Sequence, residues 1–103
     1  MDGFLSKNDI KIKNLTLEIK AADNALKGND SVTIESGNVS LTAEGGNGIK
    51  TENNRISDKG NQKGNITIMT GSTVSITSKK DCMKAALDVL IDDGANVTEN
   101  KLS

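Results

Sequence analysis

Three lysines occupy equivalent places in a pattern that recurs along the chain. Lys27, Lys50 and Lys84 each follow a turn and an aliphatic or methionine residue, and Ser6 has the same place in the first copy. Equivalent side chains of stacked strands stand roughly 4.8 Å apart, so the lysines are predicted to form a row. Like charges in a row repel one another unless anions lie beside them. The row therefore favours binding of an anionic polymer; alternatively, the lysines extend into solvent and protect strand edges.

A second set of polar residues precedes the lysines. Asn24, Asn47 and Asp81 share one place of the pattern, with Gly3 at the corresponding place of the first copy. Stacked asparagines form ladders in which the amides hydrogen-bond to each other and to turn backbone. This structural role is the favoured interpretation. Binding of sugar hydroxyls or of a calcium ion is the functional alternative.

No catalytic group accompanies these polar residues. The chain contains no histidine and a single cysteine, Cys82, which excludes the usual general base, the common catalytic triads and most zinc sites. Cys82 falls in a predicted core position, where a free thiol behaves as a small apolar side chain. The sequence therefore predicts a protein that is not an enzyme. A lyase with a lysine base is the alternative.

The elements that must position these side chains are short alternating strands. Apolar and polar residues alternate, as in Val32, Thr33 and Ile34, which places the apolar side chains on one face. A unit of about 20 residues that recurs along the chain is typical of a solenoid. The aligned apolar columns are Leu5, Leu26, Ile49 and Met83; Ile10, Val32, Ile66 and Val89; Ile12, Ile34, Ile68 and Ile91; and Leu17, Val39, Val74 and Val97.

These columns predict an all-β fold, a right-handed parallel β-helix of about four rungs with three short strands in each. The spacing from Ile49 to Met83 is longer than the others, and the surplus, residues 54–63, is predicted to be a loop inserted at one corner. Insertions in solenoids often gather on the binding face. The alternative is a solvent-exposed loop without a function. Residues 80–91 also show a helix-like spacing, but their match to the repeat favours strands.

Composition restricts the partners. The net charge is −1, from 13 basic and 14 acidic residues, which gives no general reason to expect nucleic acid. No apolar run is long enough for a transmembrane helix, and no signal-peptide pattern is visible. Either the protein is cytoplasmic or the chain is a fragment of a longer secreted or cell-surface protein; we expect the latter, with residues 1–103 as one domain. Phe4 is the only aromatic residue, and this scarcity of rings favours ligands that bind by charge over ligands that stack on aromatic side chains.

The repeated string of turn, Asp or Asn, small residue, aliphatic residue and lysine resembles a known family. It is similar to the bacterial carbohydrate-binding-domain proteins that fold as right-handed parallel β-helices, related in shape to pectate lyases. The matching segments are residues 23–27, 46–50 and 80–84, and the later turns are residues 36–38, 70–72 and 93–95. The resemblance covers most of the chain and is weakest before residue 20.

The resemblance implies binding of acidic, polygalacturonate-like polysaccharide, with calcium held at the stacked turns. The implied calcium ligands are Asp23, Asn24, Asn47 and Asp81, and the predicted sugar contacts are Lys27, Lys50, Lys84, Asn24, Asn47 and Asp81. A structural spacer or adhesin segment is the first alternative, and an enzyme of the pectate-lyase type is the second. Open strand edges also predict end-to-end self-association.

Overall fold

The computed structural model describes residues 2–56, 58–60 and 62–102. Within these residues the regular secondary structure is entirely β-strand, and no helix there could cross a membrane. Branched apolar residues alternate with small polar ones, and such residues pack well on a pleated surface. The strands are β1 Phe4–Ser6, β2 Asp9–Ile12, β3 Leu15–Ala21, β4 Leu26–Gly28, β5 Ser31–Ile34, β6 Gly37–Ala43, β7 Ile49–Lys50, β8 Asn65–Ile68, β9 Ser72–Ser78, β10 Met83–Lys84, β11 Val89–Ile91 and β12 Asn96–Lys101.

The strands form three parallel sheets of four strands each. The first sheet has the order β1-β4-β7-β10, the second β2-β5-β8-β11 and the third β3-β6-β9-β12. Three successive strands therefore make one repeat, and each repeat contributes one strand to every sheet. The expected all-β architecture of parallel strands is confirmed, and it is compatible with a β-solenoid. Residues 80–91 hold β10 and β11, so their strand interpretation is also confirmed.

The register of the second and third sheets agrees with the predicted apolar columns. Parallel pairing without a bulge keeps equivalent side chains on the same face from strand to strand. The columns seen in these two sheets are Ile10, Val32, Ile66 and Val89; Ile12, Ile34, Ile68 and Ile91; and Leu17, Val39, Val74 and Val97.

The first sheet departs from the predicted alignment in its first strand. Phe4, and not Leu5, stands opposite Leu26, while Leu5 stands opposite Lys27. The prediction that Leu5 begins the Leu26 column is therefore wrong by one residue. The prediction that Ser6 begins the lysine row is wrong for the same reason.

Steric crowding explains this register. A side chain at Gly3 would collide with Ile19 and with the carbonyl oxygen of Ala25, and one at Gly48 would collide with the carbonyl oxygen of Cys82. Small residues are therefore required one place before the aligned apolar residues of the first sheet. The spacing of aliphatic residues does not reveal this requirement, which is why it misaligned the first strand.

The core consists mainly of aliphatic side chains from the second and third repeats. Each of them contributes roughly 1.5–3 kcal/mol when it is removed from water. Columns of branched residues thus fill the interior of a chain that has no Trp or Tyr. The large core side chains with 0 or 1% exposure are Leu26, Val32, Ile34, Val39, Leu41, Ile49, Ile66, Ile68, Val74 and Ile76.

The insertion predicted over residues 54–63 lies between β7 and β8. Its base is a short antiparallel bridge between Ile56 and Gln62. The Lys63 N–H donates to the carbonyl of Arg55 at 2.9 Å, and the Gln62 side-chain amide donates to the carbonyl of Asn54 at 2.8 Å. These bonds hold the two arms of the loop together. Positions 57 and 61 of this segment fall outside the described residues.

Candidate functional site

Two of the three predicted lysines lie beside one carboxylate. Parallel pairing of β4 with β7 puts Lys27 opposite Lys50, and Glu52 follows two residues after Lys50. One oxygen of Glu52, Oε1, lies 2.9 Å from Lys27 Nζ and 3.3 Å from Lys50 Nζ. The two ammonium groups, which would otherwise repel each other, thus share an anion.

The pKa values of this cluster reflect the shared anion. Hydrogen bonds from Lys27 and Lys50 hold the pKa of Glu52 below its ordinary value, and burial opposes them. The hydrogen bond to Glu52 raises the pKa of Lys27, although burial acts in the opposite direction. Both groups are therefore charged at neutral pH. The Lys27 and Lys50 side chains are 20% and 26% exposed, so they remain accessible from solvent.

Lys84 continues the row at the next strand. It lies in β10, opposite Lys50 of β7, and is exposed. The register therefore brings Lys27, Lys50 and Lys84 together along one sheet, as the sequence predicted. Glu52 was not identified from the sequence, because the aligned copies do not show that it lies against two lysines from different repeats.

The asparagines form a ladder through the same corner of the fold. Asn24 and Asn47 are 6% and 5% exposed. The side-chain oxygen Oδ1 of Asn24 accepts the backbone N–H of Asn47 at 2.9 Å and its side-chain amide at 3.2 Å. Oδ1 of Asn47 accepts the Asp81 N–H at 3.0 Å. This is the ladder that the structural interpretation expected.

Asp2 stands at the first place of the ladder. The Asn24 backbone N–H and side-chain amide both donate to Asp2 Oδ1, at 3.1 Å each. The sequence alignment had put Gly3 there, which is wrong by the same single residue as the alignment of Leu5. The ladder thus begins at the Asp2 carboxylate, continues through the two asparagine amides and ends at the Asp81 backbone N–H, and it holds the stacked turns in register.

Three of the four implied calcium ligands already have partners within the protein. The side-chain oxygens Oδ1 of Asn24 and Asn47 already accept N–H groups, and Asp81 Oδ1 lies 3.7 Å from Lys101 Nζ. Calcium takes six to eight oxygen ligands, usually with several carboxylates. Among the described residues, no group of three or more His, Cys, Asp or Glu side chains is placed to hold a metal. Calcium binding at Asp23 and its neighbours stays a prediction.

A second polar site lies under the inserted loop. A cleft of about 860 Å³ opens between this loop and the turns that precede β2 and β5. The sequence indicated the loop but not its partners, because those lie more than 20 residues earlier in the chain. The residues that line the cleft are Asn8, Asp9, Asp30, Ser31, Asn53, Arg55, Ile56, Asp58, Lys59, Gln62 and Lys63.

Asp30 anchors the wall of this cleft. It is 7% exposed, and its two carboxylate oxygens have different partners. The Asn53 side-chain amide donates to Oδ1 at 2.9 Å, and Lys63 Nζ lies 3.1 Å from Oδ2. A buried charge is tolerated only when it is paired and hydrogen-bonded, so Asp30 fastens both ends of the inserted loop to the second repeat.

The chain is thus an all-β stack of parallel strands, compatible with a β-solenoid, that carries a row of cationic side chains and a polar corner cleft on its outside. The family model described as carbohydrate-binding domain-containing protein matches residues 1–101, and the chain belongs to this family. No curated protein and no solved structure matches the chain. A carbohydrate-binding role and a polysaccharide partner follow from the family.

Proposed function

We propose that the chain is a right-handed parallel β-helix that acts as a non-catalytic binding module for acidic polysaccharide of the polygalacturonate type. Lys27, Lys50 and Lys84 form the contact row. One observation carries this proposal: a single carboxylate, that of Glu52, lies within 3.3 Å of both Lys27 and Lys50. A site that holds one carboxylate from the chain is suited to carboxylates that recur along a polymer.

Glu52 acts in this proposal as an internal competitor for the ligand. A uronate carboxylate that approaches the row must share the two ammonium groups with Glu52 or displace its side chain, which is 42% exposed. Lys84 is the exposed end of the row and receives the polymer first. Replacing Glu52 with Gln should therefore strengthen polygalacturonate binding, because it frees Lys27 and Lys50 without removing a donor.

The test is a titration with polygalacturonate at two salt concentrations. Changing all three lysines of the row to Gln should abolish binding, and added salt should weaken binding to the wild type, because exposed charges are screened over about 8–10 Å at physiological ionic strength. The matched control changes Lys13, Lys20 and Lys79 to Gln, which removes the same charge from exposed positions outside the row. Binding that survives in the row variant, or that falls equally in the control, contradicts the proposal.

The asparagines of the stacked turns position the strands that carry the lysine row and do not contact the polymer themselves. Asn24 and Asn47 use their side-chain Oδ1 oxygens within the ladder, so they hold the lysine-bearing strands in register. Asp81 is exposed and is the member of the set that can reach a sugar hydroxyl.

If calcium takes part, polymer carboxylates must supply most of its ligands. Repeating the titration in calcium and then in chelator tests this: equal affinity in both removes the metal from the proposal.

A secreted or cell-surface location as part of a longer protein fits a module that binds acidic polysaccharide, and we propose it on that ground.

The alternative function is a structural spacer, which the exposed apolar edge of β11 favours. Val89, Leu90 and Ile91 are 40%, 47% and 45% exposed, and an open strand edge invites pairing with another chain. End-to-end association is therefore part of the proposal. Sedimentation at rising concentration tests it, and Leu90→Lys should reduce any association seen.

A further inference from the structure

We propose that the cleft beneath the inserted loop is a second saccharide site, which takes a neutral sugar unit rather than an acidic one. The cleft has a volume of about 860 Å³, within the range of about 300–1,000 Å³ that is usual for small-molecule sites. The inference rests on the carbohydrate-binding role of the family and not on the lysine row.

The charges of the lining select against an anion. Three aspartates and three basic side chains face the cleft, so their formal charges cancel. In the lysine row, by contrast, Lys27 and Lys50 are ion-paired with a single carboxylate, that of Glu52, and Asp2 and Asp23 act on Lys27 only as more distant charges. A uronate in the cleft would meet carboxylates as often as cations, whereas sugar hydroxyls both donate and accept and suit a mixed lining. The charged side chains of the lining are Asp9, Asp30, Asp58, Arg55, Lys59 and Lys63.

The polar groups of the cleft are held in place by one another. The carboxylate of Asp30 is bound by Asn53 and by Lys63. On the other wall, the Ser31 hydroxyl donates to Asp9 Oδ1 at 2.6 Å. Polar groups that are already ordered lose little conformational freedom when a ligand binds. The cleft therefore has the fixed hydrogen-bonding groups that orient a sugar ring.

Ile56 supplies an apolar surface at the same place. It is 66% exposed, more than any other exposed large hydrophobic residue in the described part of the chain, and its backbone is fixed by the bridge to Gln62. Sugar rings have one face of C–H groups, which usually packs on an aromatic ring. This chain has one aromatic residue, Phe4, and it does not line the cleft. An aliphatic side chain held over a polar cleft can take that role.

The test uses the full chain and a set of neutral hexasaccharides of glucose, xylose, mannose and galactose. Amide NMR shifts locate binding, and calorimetry measures affinity. Ile56→Ser should weaken binding of the responding hexasaccharide by about tenfold, because it removes apolar surface that the ring would cover. Ile56→Val should retain most of the affinity. Met69→Ser is the matched control, since Met69 is also an exposed apolar residue, at 38% exposure, and lies outside the cleft.

The outcomes separate this inference from the proposed function. Shifts at the cleft that need about ten times more hexasaccharide in Ile56→Ser, and that are unchanged in Met69→Ser and in the triple lysine variant, support it. They support it even if polygalacturonate does not bind at all. If no neutral hexasaccharide shifts the cleft residues, or if Ile56→Ser binds as the wild type does, the inference is wrong. Competition by oligogalacturonate for the same cleft residues would also overturn it, because the ligand would then be acidic.

Discussion

The middle and the last repeats carry the same pattern but have different surroundings. Ile34, Ile68 and Ile91 occupy one column of the second sheet. Ile34 and Ile68 are 0% exposed, whereas Ile91 is 45% exposed. The residue type and the register are the same, so the difference comes from the neighbours of each strand. Pairing on one side is not by itself enough to expose this column, because Ile12 of β2, at the other edge of the sheet, is only 5% exposed. In a stack of repeats, the burial of a residue therefore depends on the neighbouring segments and not only on the pattern of its own repeat.

The third sheet shows a further difference at the same end. Glu99 of β12 stands opposite Ile76, and Lys101 stands opposite Ser78. A charged residue thus takes the place that an aliphatic residue has in the strand before it. Charged residues on a terminal strand discourage pairing with other chains. The last repeat therefore protects its edge in the third sheet and leaves the apolar edge of the second sheet open.

Substitution of one column at two places should produce the largest contrast. Ile34→Asp should unfold the protein, because an unpaired buried charge costs several kcal/mol, comparable to a total stability of about 5–15 kcal/mol. Ile91→Asp should change stability by no more than about 1 kcal/mol, because the carboxylate reaches water. Urea melts followed by circular dichroism compare the two. Equal stability of both variants would show that burial does not differ along the column.

In the asparagine ladder, a substitution inside the ladder should cost more stability than one at its end, and both effects should be smaller than that of Ile34→Asp. Asn47→Ala removes a buried acceptor and leaves the Asp81 N–H without its partner, so it should cost about 1–3 kcal/mol. Asp81→Ala should cost less, since the backbone N–H that Asn47 binds remains in place. Denaturant midpoints of the two variants measure the difference. A larger loss in Asp81→Ala than in Asn47→Ala would contradict the ladder as described.

The Glu52 cluster should make a small contribution that depends on pH. The lowered pKa of Glu52 stabilises the fold above the ordinary glutamate pKa of about 4.3, and this stabilisation is lost as the pH falls through the folded-state value. The raised pKa of Lys27 acts in the opposite sense, so its contribution is lost as the pH rises through the folded-state value. Because Glu52 is partly exposed, the effect should not exceed about 1 kcal/mol.

A comparison of the wild type with Glu52→Gln isolates this contribution. The difference in unfolding free energy between the two proteins should be present at neutral pH. It should shrink in acid, where protonated Glu52 is as uncharged as the glutamine that replaces it. A difference that stays constant from neutral to acid pH would mean that Glu52 does not act through its charge.

The smallest stability effect is expected at the exposed end of the lysine row. Lys84→Gln should alter stability by no more than about 0.5 kcal/mol, because Lys84 is an exposed residue on a terminal strand. It should nevertheless reduce polygalacturonate affinity as much as Lys50→Gln does, if the polymer spans the row. Parallel melts and titrations of the two variants measure both quantities. An unchanged affinity in Lys84→Gln would shorten the row to Lys27 and Lys50.

The sequence alone was sufficient for the parts of the fold that repeat. Alternation with a period of two defines which side chains share a face, and copies that stack in parallel bring equivalent positions together. The columns of the second and third sheets, the lysine row and the inserted loop could all be predicted in this way. Where the first copy is irregular, prediction failed by one residue, because steric room at Gly3 and not aliphatic spacing sets the register there.

Only the tertiary structure could decide the contacts that do not repeat. Glu52 joins Lys27 and Lys50 from different repeats, and Asp30 joins Asn53 and Lys63 across the inserted loop. Each contact depends on where a side chain ends in space and not on its place in a period. Contacts of this kind arise where the repetition is interrupted, and the geometry of an interruption is set by packing between segments that are distant in the chain.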